Sequence, residues 1–118
     1  MNLREYPTKI AQVMMEVHAL DMQVNTLQEN LKLIELEVDT KIAFDLVLKN
    51  DAQRKTRRKA LLDDHPNYWE CAEELRKIKN TRECASINLC KLQNEFSVMK
   101  LEYRERISKL ELQLANSH

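Results

Sequence analysis

From Ile10 to Val38 the apolar residues of this chain recur at intervals of three and four without a miss: Ile10, Val13, Val17, Leu20, Val24, Leu27, Leu31, Ile34 and Val38. Taking Ile10 as position a of a heptad, the a positions are Ile10, Val17, Val24, Leu31 and Val38, and the d positions are Val13, Leu20, Leu27 and Ile34. A 3.5-residue period held over four heptads makes a narrow seam on one helix. The seam stays covered only if a second helix winds around it in a left-handed supercoil. After Val38 the register slips: Lys41 takes the next position, and apolar residues resume at Ile42 and Leu46.

The same pattern returns later. Tyr68, Cys71, Leu75, Ile78, Arg82, Ala85, Leu89, Leu92, Phe96, Met99 and Tyr103 keep the alternation, then a four-residue step leads to Ile107, Leu110 and Leu114. Arg82 interrupts this second stripe. Its stem can lie on the apolar surface while the guanidinium reaches water. Two seams in one chain predict that the chain supplies its own partner helix. The absence of glycine and the presence of only two prolines, Pro7 and Pro66, exclude folds that depend on tight strand turns. The expected fold class is therefore all-α, a long antiparallel coiled-coil helical hairpin.

Residues 1–118 read as a single domain: an arm over 7–48, a short helix over 51–62 opened by Asn50 or Asp51, a turn at 63–66, and a second arm over 66–116. Pro66 and the preceding aspartates suit the start of a helix. Treating the short helix as a continuation of the first arm places the reversal at 63–66. Facing residue numbers then sum to about 130, which sets Ile34 near Phe96 and Leu20 near Leu110. Further apolar residues lie off the two stripes: Leu33, Leu36, Phe44 and Val47 on the first arm, and Ile87, Val98, Leu101 and Leu112 on the second. A second apolar face predicts an oligomer interface, and hence a homodimer in a four-helix arrangement. The alternative is a monomer with scattered surface leucines.

Charge is balanced overall, with 19 basic and 19 acidic residues, but unevenly distributed. Residues 1–48 carry four basic and eight acidic groups, whereas 49–62 carry six basic and one acidic. Arg54, Lys55, Arg57, Arg58 and Lys59 form the cluster, with Tyr68 and Trp69 following the turn. Cations beside aromatics suit single-stranded or duplex DNA, with the cations on phosphates and Trp69 stacking on a base. The same residues also read as a solvated tip, with the aromatics packing its end.

Nothing in the sequence reads as catalytic machinery. His18, His65 and His118 stand far apart, no glycine loop can cradle a phosphate, and Cys71, Cys84 and Cys90 have no candidate base beside them in sequence. No metal and no cofactor is expected. The odd cysteine count suits reduced thiols in a cytoplasmic protein, and no apolar run is long enough to span a membrane.

The run Lys49-Asn50, Arg54-Lys55, Leu61-Leu62, Pro66-x-Tyr68 and then Phe96-x-Val98-Met99 resembles short helical proteins of bacteriophages and mobile elements that are encoded beside recombination genes. The similarity covers about residues 46–101. It implies a non-enzymatic accessory of DNA recombination or replication, or alternatively a small protein that binds and blocks a host nuclease or defence protein.

Overall fold

The computed structural model describes residues 1–117. They form three helices, α1 (Tyr6–Ala43), α2 (Asp51–Asp64) and α3 (Tyr68–Asn116), with no strand among the described residues. Pro7 lies in the first turn of α1, where its missing N–H leaves no helical hydrogen bond unmade. Just upstream, the Asn2 side chain accepts from the N–H groups of Arg4 and Glu5, and the Glu5 carboxylate accepts from the N–H of Asn2. This reciprocal pair satisfies donors that open a helix.

α1 stops at Ala43, short of the arm expected to reach residue 48. Local side-chain chemistry explains the stop. Asp45 accepts from the N–H of Val47, an Asx turn. Asn50, with extended backbone, then caps α2 by accepting from the N–H of Gln53 at 2.9 Å, and the Gln53 side chain accepts from the N–H of Lys49 at 2.8 Å. α2 ends at Asp64 because His65 precedes a proline, which drives it to extended backbone (φ −68°, ψ 128°). No described residue needs a positive φ, so the connections close without glycine.

The chain separates into two compact units. The first, Ala19–Arg82, holds most of α1, all of α2 and the start of α3. Leu20, Val38, Leu62 and Leu75 are its buried apolar residues. α2 turns back beside the last turns of α1: Arg58 Nε donates to Asp39 Oδ1 at 2.7 Å, and His65 Nε2 lies 3.5 Å from Glu37 Oε2. α3 then runs antiparallel to α1, with the Cys71 thiol donating to the Leu27 carbonyl and Arg82 Nε donating to Asp21 Oδ1 at 2.8 Å.

The second unit pairs Met1–His18 with α3 from Glu83 onward. Its core is Tyr6, Val13 and Leu92, packed with Ile10, Leu89, Phe96 and Met99. The Tyr6 and Phe96 rings stack with centroids 5.6 Å apart, and the Tyr6 hydroxyl donates to Glu95 at 3.3 Å.

These contacts overturn the expected register. Phe96 meets Tyr6, where the 63–66 reversal had placed it near Ile34. Ile34 instead lies with Asn67, Glu70 and Cys71, and Leu110, expected opposite Leu20, is 53% exposed. The physical reason is the break at Phe44–Asn50. Because α2 folds back on α1 instead of extending it, its length counts against the first arm, and the partner of each α1 residue moves about thirty positions towards the N-terminus of α3.

Candidate functional site

α2 displays its cations on more than one face. Lys55, Arg58 and Lys59 line a surface groove of ≈ 420 Å³ together with Leu62 and Asp63 of α2 and Tyr68 and Trp69 of α3. The spacings 55–59 and 58–62 are each four residues, about one helical turn, which brings these side chains to one side. Arg57 faces elsewhere, into a separate depression of ≈ 580 Å³ with Val47, Leu48, Ala52, Gln53, Thr56 and Ala60. Arg54 folds onto Asp51 at 3.0 Å. Of the six residues expected to meet nucleic acid, four therefore share a groove: Lys55, Arg58, Lys59 and Trp69.

The groove is not simply basic. The hydrogen bond to Asp39 raises the Arg58 pKa above its ordinary value and fixes the guanidinium in place. Asp63 also lines the groove. Among the described residues, Lys55 and Lys59 make no ion pair within the chain. Trp69 packs edge-on to Tyr68, with centroids 5.3 Å apart and an interplanar angle of 72°, yet keeps more than half of its surface exposed. The groove thus offers two free ammonium groups and one indole face.

The expected oligomer-interface residues Leu33, Leu36, Phe44, Val47, Ile87, Val98, Leu101 and Leu112 are all exposed. Within α1, Met22 and Leu33 are eleven residues apart; within α3, so are Ile87 and Val98, and Leu101 and Leu112. Eleven residues are about three turns, so each pair lies on one line along its helix. These lines lie away from the buried positions Val13, Leu20 and Leu92.

A further surface lies at the end of α3. Along α3 every stripe residue from Tyr68 to Met99 is buried or half-buried, and from Tyr103 onward every one is exposed: Tyr103, Ile107, Leu110 and Leu114. A reversal at 63–66 would pair Leu110 of this stretch with Leu20 of the first arm. The signal that could have exposed them is the Asp45 and Asn50 turn chemistry, which shortens that arm.

No family model, curated protein or solved structure matches the chain. Among the described residues no group of three or more His, Cys, Asp or Glu could hold a metal ion. No described helix is long and apolar enough to cross a membrane.

Proposed function

We propose that this chain is a non-enzymatic interaction protein that works by pairing exposed helical faces with another polypeptide. The observation that carries this reading is the open stripe Tyr103, Ile107, Leu110 and Leu114. It keeps the spacing of a helix–helix seam, yet beyond the edge of Tyr103 beside Leu3 it has no partner among the described residues, and a stripe of this kind marks a protein-binding surface. The off-stripe residues, Leu36 and Leu101 among them, form a separate exposed apolar face, whose use in a four-helix arrangement is the alternative to pairing through the stripe. The similarity of residues 46–101 to helical proteins of phages and mobile elements supplies a setting, in which the partner is a host nuclease or defence protein or a second copy. A photo-reactive amino acid in place of Leu110, activated in cells, tests the reading. The expected product joins this chain to another polypeptide. A folded protein that gives no intermolecular product overturns it.

A second reading rests on the groove of Lys55, Arg58, Lys59 and Trp69: the α2 tip of a DNA-recombination accessory binds single-stranded or duplex DNA. Fluorescence anisotropy with labelled DNA across a salt series tests it. Three phosphate contacts on a single strand give a log–log slope of about −2. Trp69→Ala costs about 1–3 kcal/mol if the indole stacks on a base. Lys55→Ala and Lys59→Ala flatten the slope more than Arg57→Ala, which faces away. No binding to either DNA at low salt removes this reading.

A further inference from the structure

The end of α3 is a stripe of four apolar side chains with charges on both sides. Glu102, Glu105 and Glu111 balance Arg104, Arg106 and Lys109, so residues 102–111 are neutral. Lys109 already pairs with Glu105 on its own helix at 3.3 Å, and Glu102 and Arg106 line the depression shared with Leu3, which leaves Arg104 and Glu111 to meet a partner. A narrow seam flanked by both signs in equal number fits a helix of the same kind better than a strongly charged surface.

The stripe is covered up to Met99, half-open at Tyr103, and open beyond it. Tyr6 of α1 stacks on Phe96, and Leu3 shares a depression with Met99, Glu102, Tyr103 and Arg106. A second α3 lying parallel would carry its own Phe96 and Met99 alongside these, where each copy already holds its own α1. An antiparallel α3 avoids the collision, because its neighbouring residues run away from that end. It takes up the direction in which α1 crosses α3, and the two copies overlap only along their open segments.

We propose that the open stripe of α3 pairs antiparallel with the same stripe of a second copy of this chain. This rests on the interaction-protein reading and names its partner. Centred between Ser108 and Lys109, the pairing sets Ile107 of each copy against Leu110 of the other, and Tyr103 against Leu114. In that register Arg104 of each copy flanks Glu111 of the other, so the two-fold axis makes the ion pair twice. The contact spans twelve residues, about 18 Å of helix, and buries less than the ~800 Å² per partner of a standard interface. The dimer accordingly falls in the small, weak and transient class of interfaces.

Two single-cysteine proteins test this, each a full chain carrying Cys71→Ala, Cys84→Ser and Cys90→Ser. One adds Tyr103→Cys and the other Leu114→Cys. Oxidation of the mixture at ~100 μM, a concentration chosen for a weak, transient pair, gives a disulfide joining the two different proteins, and either alone gives little. Strong self-linking of each protein alone overturns the proposal, because only parallel pairing does that. Sedimentation equilibrium of the unmodified chain gives a second readout. Leu110→Glu raises the dissociation constant at least ten-fold with helicity retained, and Leu112→Glu, off the stripe, leaves it unchanged. The reverse pattern, with Leu112→Glu dissociating the dimer and Leu110→Glu sparing it, overturns the proposal. A chain that sediments as a monomer at ~100 μM overturns it as well. An intermolecular product from the probe at position 110 in cells would then leave the interaction-protein reading standing, and its absence would end both.

Discussion

Two stretches of one helix carry the same apolar code and meet different fates. Over 85–99 of α3, the stripe Ala85, Leu89, Leu92, Phe96 and Met99 is covered, and Leu92 keeps only 6% of its surface exposed. Over 103–114, with residues of the same kind at the same spacing, Leu110 and Leu114 are 53% and 64% exposed. Residue type does not separate them. The difference is the reach of the N-terminal arm, which meets α3 at Phe96 through Tyr6 of α1 and at Met99 and Tyr103 through Leu3, just ahead of α1. A heptad therefore states that a helix wants a partner, and the length of the other arm decides which part of it gets one from the same chain.

The sharpest way to break this comparison is to truncate a leucine in each stretch. Leu92→Ala removes a buried side chain and should destabilise the fold by about 2–4 kcal/mol. Leu110→Ala, at micromolar protein, should change stability by less than about 0.5 kcal/mol. Urea denaturation followed by circular dichroism measures both, and equal losses would contradict the comparison.

Thiol chemistry extends the contrast to the start of α3. Cys71 lies on the covered stripe, its Sγ–H directed to the Leu27 carbonyl. Burial, and then the negative charges of Glu74 and Glu70, push its pKa up. Cys84 and Cys90 are exposed. Partial burial and a smaller thiolate population both slow its reaction, so Cys71 should alkylate more slowly than either. Mass spectrometry of a timed iodoacetamide reaction reads this, and equal rates would mean that the stripe around Cys71 is open.

Tyr6 gives the comparison a pH signature. Burial, then the Glu95 carboxylate through its charge and its hydrogen bond, raises the hydroxyl above the ordinary tyrosine value of about 10. A group whose pKa is higher in the folded state contributes stability below its unfolded pKa, and that contribution is lost as pH rises through the folded value. Wild-type stability should thus fall faster above pH ~10 than that of Tyr6→Phe. Parallel thermal melts from pH 8 to 11 decide it, and identical pH profiles would contradict the account.

The smallest expected effect concerns the polar interruption of the stripe. Arg82 and Asp21 form a half-exposed ion pair at 2.8 Å. A double-mutant cycle to alanine should give a coupling of a few tenths of a kcal/mol, fading with salt. A coupling well above ~1 kcal/mol would mean that the pair organises the packing around it.

The helices themselves were legible because three-and-four spacing has few other physical solutions, and the Asn50 cap was legible from residue type. The register was not. No glycine or proline marks the break after Ala43. Phe44 and Val47 look like further helix positions, and only Asp45 and Asn50, acting through their side chains, turn the chain. An arm that ran on through that break would reach Leu110, which stays 53% exposed. In the basic cluster, residue type identified the cations, but their sides depended on where α2 packs. Asp39 claims Arg58, Asp51 claims Arg54, and Arg57 faces away from Trp69.

Amide hydrogen exchange of the full chain, read by mass spectrometry at about 1 μM and about 100 μM, a span chosen for a weak, transient pair, tests the central claim most directly. The account predicts strong protection of residues 85–99 at both concentrations. Residues 103–116, a helical extension with no packed face, should exchange much faster at the low concentration, since a helix of this length without tertiary contacts is marginal in water. Protection there should rise at the high concentration. Residues 103–116 as protected as 85–99 at 1 μM would contradict the claim that the stripe of α3 is left open beyond Tyr103.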